Sequence, residues 1–246
     1  MKPSSNFANF ANINRQLAAF FCDRSLQESR NHGGDRHPVQ PGPNQSTQGA
    51  LQVRICVMPG AWGRRVVKGL VFTTFYDYCE ISYGADFLDE VIAEARLPHR
   101  GAYTSVGTYP FSEMISLITA LVAKSGQDLK PTLEAFGAHC FATWVKNWPV
   151  QFDGRCLFDV LASIDDFHEQ EVRKLYPDAE LPSFKVETRS PDRLVLGYHS
   201  CKPLADLAVG VIRGAADYLH EPVSITSRTA RGARGNHVRI EINRLG

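Results

Sequence analysis

The sequence predicts an α+β fold, and three observations predict it. Apolar residues recur at helical spacing from about residue 69 to 176, alternation of period two takes over near 184–189 and 193–200, and Ser190-Pro-Asp192 supplies a turn between the alternating runs. Helices gathered first and hairpin-linked strands afterwards argue for an antiparallel sheet segregated from the helices. A helix at about 203–220 and closing strands near 222–228 and 236–243 complete the pattern.

Taken in order, residues 1–66 show no sustained period, and the stretch from Asn31 to Gln48 is dense in glycine, proline and polar residues. Such a composition buries too little apolar surface to offset the entropy of ordering the chain, so this part reads as a disordered extension or a mis-assigned start. The periodic part opens at Val67 and reads as one domain through residue 226, followed by a basic tail or closing strand at 227–246. Helices are predicted at about 69–82, 86–96, 110–125, 129–147 and 154–176. Gly84-Ala-Asp86 and Ser125-Gly126 offer caps or stops, Pro110 suits a first helical turn, and Trp148-Pro149 ends a helix.

Composition narrows the function. The 246 residues are 43% hydrophobic and 22% charged, enough for one sizeable core. A net charge of +1 conceals +5 over residues 1–66, −8 over 67–226 and +4 over 227–246. An acidic body lacks the clustered Lys and Arg that phosphate backbones require, which argues against nucleic acid as a partner. No apolar run reaches the length of a membrane helix and the start lacks a signal-peptide pattern, so the reading is cytoplasmic with no membrane. Six cysteines without a CxxC pair read as reduced residues, mostly of the core. Cys201 lies near His199 and Asp206, but strand alternation turns Cys201 and His199 away from Tyr198 and Ser200, and no nucleophile elbow or phosphate loop is present. The chain is therefore not read as an enzyme.

Two constellations stand out. In the 154–176 helix, Leu161, Ile164, His168, Val172 and Leu175 fall on one stripe at steps of three or four, which aims an imidazole into apolar surroundings. Read as a strand, the segment Tyr198-His-Ser200-Cys-Lys202 puts Tyr198, Ser200 and Lys202 on one face, two hydroxyls and a cation in a row. A nitrogen for iron and donors for propionates are the makings of a haem site. Each piece also has a plainer reading: a hydrogen-bonded core histidine, strand residues satisfying one another, a solvated lysine, and Cys140 and Trp144 as ordinary helix core.

From Lys68 to about Thr226 the sequence resembles the H-NOX family, the haem nitric oxide/oxygen-binding domains of bacterial gas sensors and soluble guanylate cyclase. The resemblance is carried by Lys68-Gly-Leu-Val-Phe72, Ala135-Phe-Gly137, His168-Glu-Gln-Glu-Val-Arg-Lys-Leu-Tyr-Pro-Asp-Ala-Glu-Leu-Pro182, Tyr198-His-Ser200 and Gly210-Val-Ile-Arg-Gly214. It implies an H-NOX-like α+β fold, an N-terminal helical part followed by helices packed on an antiparallel sheet that encloses haem b. By the same resemblance His168 is the iron ligand, Tyr198 and Ser200 hold the propionates, and Pro182 and Val71 press on the macrocycle. Lys202 stands where the family motif has arginine, keeping the charge and losing the bidentate fork. Phe75, Cys140, Trp144, Leu207 and Val211 match pocket-facing positions. Oxygen-holding relatives place a tyrosine at the position of Leu207, so the ligand implied is nitric oxide, with oxygen rejected. No zinc cluster of cysteines and histidine is found in this sequence near the domain end. The resemblance further implies signalling by release of His168 to a separate output protein, a histidine kinase or a cyclic-di-GMP enzyme, since the chain ends about twenty residues past the domain. A haem-free regulatory module of the same fold is the alternative.

Overall fold

A computed structural model describes residues 65–98, 100–147, 149, 152, 154–229 and 236–245. The expectations for residues 1–64, for Trp148 and for residues 230–235 of the basic tail lie outside the described residues.

The described chain opens with a short strand, β1 (Val66–Lys68), paired antiparallel with β2 (Thr108–Pro110). Between them run α1 (Gly69–Tyr83) and α2 (Ala85–Ala95), and after β2 come α3 (Phe111–Ser125) and α4 (Leu129–Asn147). Two glycines set the joints: Gly84, at φ 93°, separates α1 from α2, and Gly126, at φ 69°, closes α3 with its N–H donating to the Val122 carbonyl. Pro110 precedes α3 as its cap residue, one position earlier than predicted. The β1–β2 pair was not anticipated, because three residues are too few to display a period.

The predicted helix over 154–176 is divided. Its parts are α5 (Leu157–Ala162), α6 (Ile164–Phe167), a π-helical turn at His168–Val172 and α7 (Arg173–Leu175). Ser163 makes the first break, its hydroxyl donating to the Val160 carbonyl at 3.0 Å while Arg155 donates to the same hydroxyl at 2.8 Å. Serine that bonds nearby backbone competes with helix propagation, and here it tips the balance. The π turn then begins at His168 itself; such turns carry one extra residue and concentrate at functional sites.

Four strands follow: β3 (Ser183–Arg189), β4 (Arg193–Ser200), β5 (Val223–Thr229) and β6 (Asn236–Arg244), with α8 (Ala205–Tyr218) between β4 and β5. They form one antiparallel sheet in the order β3-β4-β6-β5. The Ser190 N–H donates to the Arg193 carbonyl at 2.8 Å and closes the β3–β4 hairpin. Residues 236–244, read as tail or closing strand, form β6 and lie inside the sheet.

Two cores result. One, among α1 to α4, is built around Phe72, Phe75, Phe111, Leu117, Leu121 and Phe136. The other packs Leu157, Phe158, Leu161 and Ile212 on Leu194, Leu196, Ile240 and Ile242 of the sheet. α4 and α8 bind the two cores together, and Val211 packs against both. Their backbones touch: a Cβ on Gly137 would lie 2.2 Å from the Leu207 carbonyl oxygen, and one on Gly210 would lie 2.0 Å from that of Glu134. A methyl group at either position must push the helices apart. Gly210→Ala is expected to lower the unfolding free energy by about 1–3 kcal/mol, the usual cost of overpacking; urea denaturation checks this, and an unchanged midpoint would contradict the contact.

Candidate functional site

A cavity of about 280 Å³ opens between the two cores. Val71 of α1, Cys140 and Trp144 of α4, and Leu207 and Val211 of α8 wall one part of it. Leu161, Ile164, His168, Val172 and Leu175 also line it, so the stripe read from the sequence survives the helix breaks. Pro182, Tyr198, Ser200 and Lys202 line the same space. Phe75 does not: it is fully buried behind the wall, edge-on to Phe136 at 5.3 Å.

His168 lines the cavity, and one of its two ring nitrogens lacks a partner. Its Nδ1 is buried and has no hydrogen-bond partner. Burial pulls the imidazole below its ordinary pKa, while the Asp165 carboxylate and the Pro182 carbonyl pull the other way. A neutral imidazole in apolar surroundings is a nitrogen ligand, and leaving its nitrogen unpaired is costly unless something else binds there. An orphaned nitrogen alone does not define a site: His139 Nε2 is also buried and unpartnered, but His139 faces Tyr78 in the helical core and is absent from the cavity wall. Cavity and nitrogen together are what distinguish His168.

The second constellation also converges. Tyr198 is 2% exposed, and burial pushes its hydroxyl up to about 12 against the opposing Ser200 hydroxyl, so it stays protonated and able to donate. The Ser200 hydroxyl accepts the Lys202 N–H at 3.0 Å. The Lys202 ammonium donates to the Glu180 carboxylate at 2.8 Å and to the Glu180 carbonyl at 3.3 Å. Phe184 links the two constellations, its ring edge-on to Tyr198 at 5.2 Å and 6.3 Å from His168. Its N–H donates to Asp165 Oδ1 at 2.8 Å, tying the histidine segment to β3. His199 points the other way, exposed beside His237.

Sequence reasoning missed several members of the wall. Leu70 and Thr74 line the cavity from α1; helical spacing signals Thr74 three residues on from Val71, and Leu70 four residues before Thr74. The Thr74 hydroxyl is occupied, donating to the Leu70 carbonyl at 2.8 Å. Lys68, Asp178 and Glu180 also line the cavity, and the two acids sit in an irregular segment where no period could mark them.

The residues fit haem. Among the described residues no group of three or more histidine, cysteine or carboxylate side chains could hold a metal ion. One histidine on an apolar slot suits a metal whose other positions a macrocycle fills, and the Tyr198 and Ser200 hydroxyls and the Lys202 ammonium, on the same slot, are groups that can bind carboxylates.

Fold and site together define a class: an α+β domain that closes helices and a sheet around a cofactor-sized apolar cavity with one imidazole. The family model described as Haem-NO-binding matches residues 68–227, and the chain belongs to that family, whose members are haem-based gas-sensor domains. Among solved structures, the Fe(II) unliganded H-NOX protein of K. algicida is 31% identical, with a TM-score of 0.67 over 73% of this chain and 97% of that one. A point mutant of that K. algicida protein, also 31% identical, gives a TM-score of 0.68 over the same shares. The S. oneidensis H-NOX protein in the Fe(II)NO state, at 22% identity, shares the fold with a TM-score of 0.66 over 73% of this chain and 100% of that one. No curated protein matches. No helix among the described residues is long and apolar enough to cross a membrane.

Lys68 holds Asp178, and Lys202 holds Glu180, below the usual carboxylate range. A depressed folded-state pKa means that each pair stabilises the protein above the unfolded pKa, about 3.9 for Asp and 4.3 for Glu, and is lost as pH falls through the lower folded value. In haem-free protein, Glu180→Gln is therefore expected to lower thermal stability at pH 7, with the gap to the unsubstituted protein closing toward about pH 3. A gap independent of pH would count against the pairing.

Proposed function

We propose that this protein is a sensor of nitric oxide that binds haem b and signals through the segment carrying His168. The observation that carries the reading is the imidazole of His168 on the wall of an apolar cavity that Tyr198, Ser200 and Lys202 also line. Haem, when bound, would supply an iron that can take an imidazole and a gas as ligands. His168 would hold that iron, Tyr198 and Ser200 would donate to the propionates, and Val71 and Pro182 would lie against the macrocycle. The absence of a CxxCH sequence favours haem held without thioether links, the b type.

The choice of gas rests on the part of the cavity wall formed by α1, α4 and α8. Leu207 and Val211 are apolar, the Cys140 thiol is a weak donor kept protonated by burial, and the Thr74 hydroxyl is spent on its own helix. Bound oxygen draws on a strong donor, whereas nitric oxide needs little help, so this wall favours nitric oxide. The segment carrying His168 holds no buried residue in its helical turns, so it would be free to shift if its histidine were let go, giving two surfaces. The receiver is a separate cytoplasmic protein, a histidine kinase or a cyclic-di-GMP enzyme; the resemblance of the domain to stand-alone bacterial sensors supports this.

One observation favours the haem-free alternative: Lys202 is already answered by Glu180. Colour separates the two. Purified protein supplied with haem is expected to show a Soret band that His168→Gly abolishes and added imidazole restores. A colourless protein under the same conditions would establish the haem-free module. The reduced, haem-loaded protein is expected to form no stable oxygenated spectrum in air; a persistent one would overturn the choice of gas.

A further inference from the structure

Two lysines line the cavity, and both are held by carboxylates of one irregular segment. Lys68, at the end of β1, bonds Asp178 at 2.6 Å and donates to Thr108 Oγ1 at 2.7 Å. Lys202, just beyond β4, bonds Glu180 at 2.8 Å. Asp178 and Glu180 lie two residues apart between α7 and β3, and the Val66 N–H of β1 also reaches the Glu180 carboxylate. The segment therefore straps the helical part to the sheet part across the cavity.

The pairs are lopsided. The lysine side chains are 14% and 7% exposed, whereas those of Asp178 and Glu180 are 66% and 41% exposed. The cations belong to the wall, and the acids cap them from the solvent side. A partly buried ammonium needs an anion nearby, but it does not specify which carboxylate provides one. Haem carries two carboxylates on one edge, matching two lysines on one cavity.

We propose that Asp178 and Glu180 are stand-ins for the two propionates: they hold Lys68 and Lys202 while the site is haem-free and surrender them when haem enters. Lys68 is then a second propionate cation, and the segment 176–182 is the closure of the site. The inference rests on the haem reading above. Two ammonium–carboxylate pairs exist before the exchange and two after it, and the displaced acids return to water that they already partly face. Lysine suits such an exchange better than arginine, because a point charge on a flexible stem can change partners without rebuilding a planar fork. The strap competes with haem, so it lowers haem affinity while keeping the empty site closed.

Haem titrated into the haem-free full chain tests this, with haem loss to an excess of scavenging apoglobin as a second readout. Asp178→Asn and Glu180→Gln are each expected to bind haem about two- to five-fold more tightly, the range of a partly exposed ion pair, and Lys68→Met more weakly by a similar factor. With haem dimethyl ester, whose propionates carry no charge, these differences are expected to vanish. Acid variants that bind haem no better, or differences that persist with the ester, overturn the proposal and leave the haem reading intact. If the unsubstituted chain takes up neither haem nor its ester, the haem reading falls and this proposal with it.

Discussion

The contact on which the rest of the structure depends is the backbone-to-backbone crossing of α4 and α8 at Gly137 and Gly210. Because no side chain fits there, α8 is held against α4, and the two helices turn neighbouring residues in a common direction. Cys140 and Trp144 follow Gly137 along α4, and Leu207 and Val211 bracket Gly210 on α8. One close approach thus sets one wall of the cavity and also joins the helical core to the sheet core. Gly214 continues the crossing, since a Cβ there would lie 3.1 Å from the Ala138 backbone. A cavity in a close-packed interior persists only where its surroundings cannot collapse into it, and this crossing is part of what prevents collapse.

Against that rigid wall stands one of a different kind. α8 and the inner face of β4 are mostly buried, whereas α6, the π turn and α7 contain no buried residue. Their ion pairs, Arg173 with Glu169 and Lys174 with Glu171, join half-exposed or exposed side chains and contribute little. The histidine therefore sits on the weakly held side of the cavity and the Tyr198 and Ser200 hydroxyls on the firmly held side. Firm donors fix where a planar group lies, and a loosely held ligand segment lets the state of one bond decide its position.

What the sequence made legible follows from what carries a period. The stripe through His168 and the face through Tyr198 and Ser200 were readable because helical and strand spacing place those side chains without knowledge of tertiary contacts. The break at Ser163 and the π turn were not, since both depend on particular hydrogen bonds made once the chain is folded. Phe75 matched a pocket position by resemblance, yet α1 turns it into the core and presents Leu70, Val71 and Thr74 instead. The partner of Lys202 was invisible for a third reason: Glu180 belongs to an irregular segment, and only the folded chain brings the two together across 22 positions.

The replacement of arginine by lysine at position 202 looks, in the sequence, like a loss. In the structure it is part of a charge arrangement with its own logic. A planar guanidinium in this place would bind a carboxylate in one geometry and resist exchange, whereas the ammonium of Lys202 contacts both the carboxylate and the carbonyl of Glu180 and stays 7% exposed. Lys68 repeats the scheme from β1, with Thr108 as its neutral neighbour and Asp178 as its anion. Each lysine has uncharged contacts besides its anion, the Glu180 carbonyl and the Cys201 sulfur for Lys202 and the Thr108 hydroxyl for Lys68. The same strap that neutralises the wall also lies directly after the histidine segment, so the occupant of the cavity and the position of His168 act on one continuous stretch of chain, 164–182.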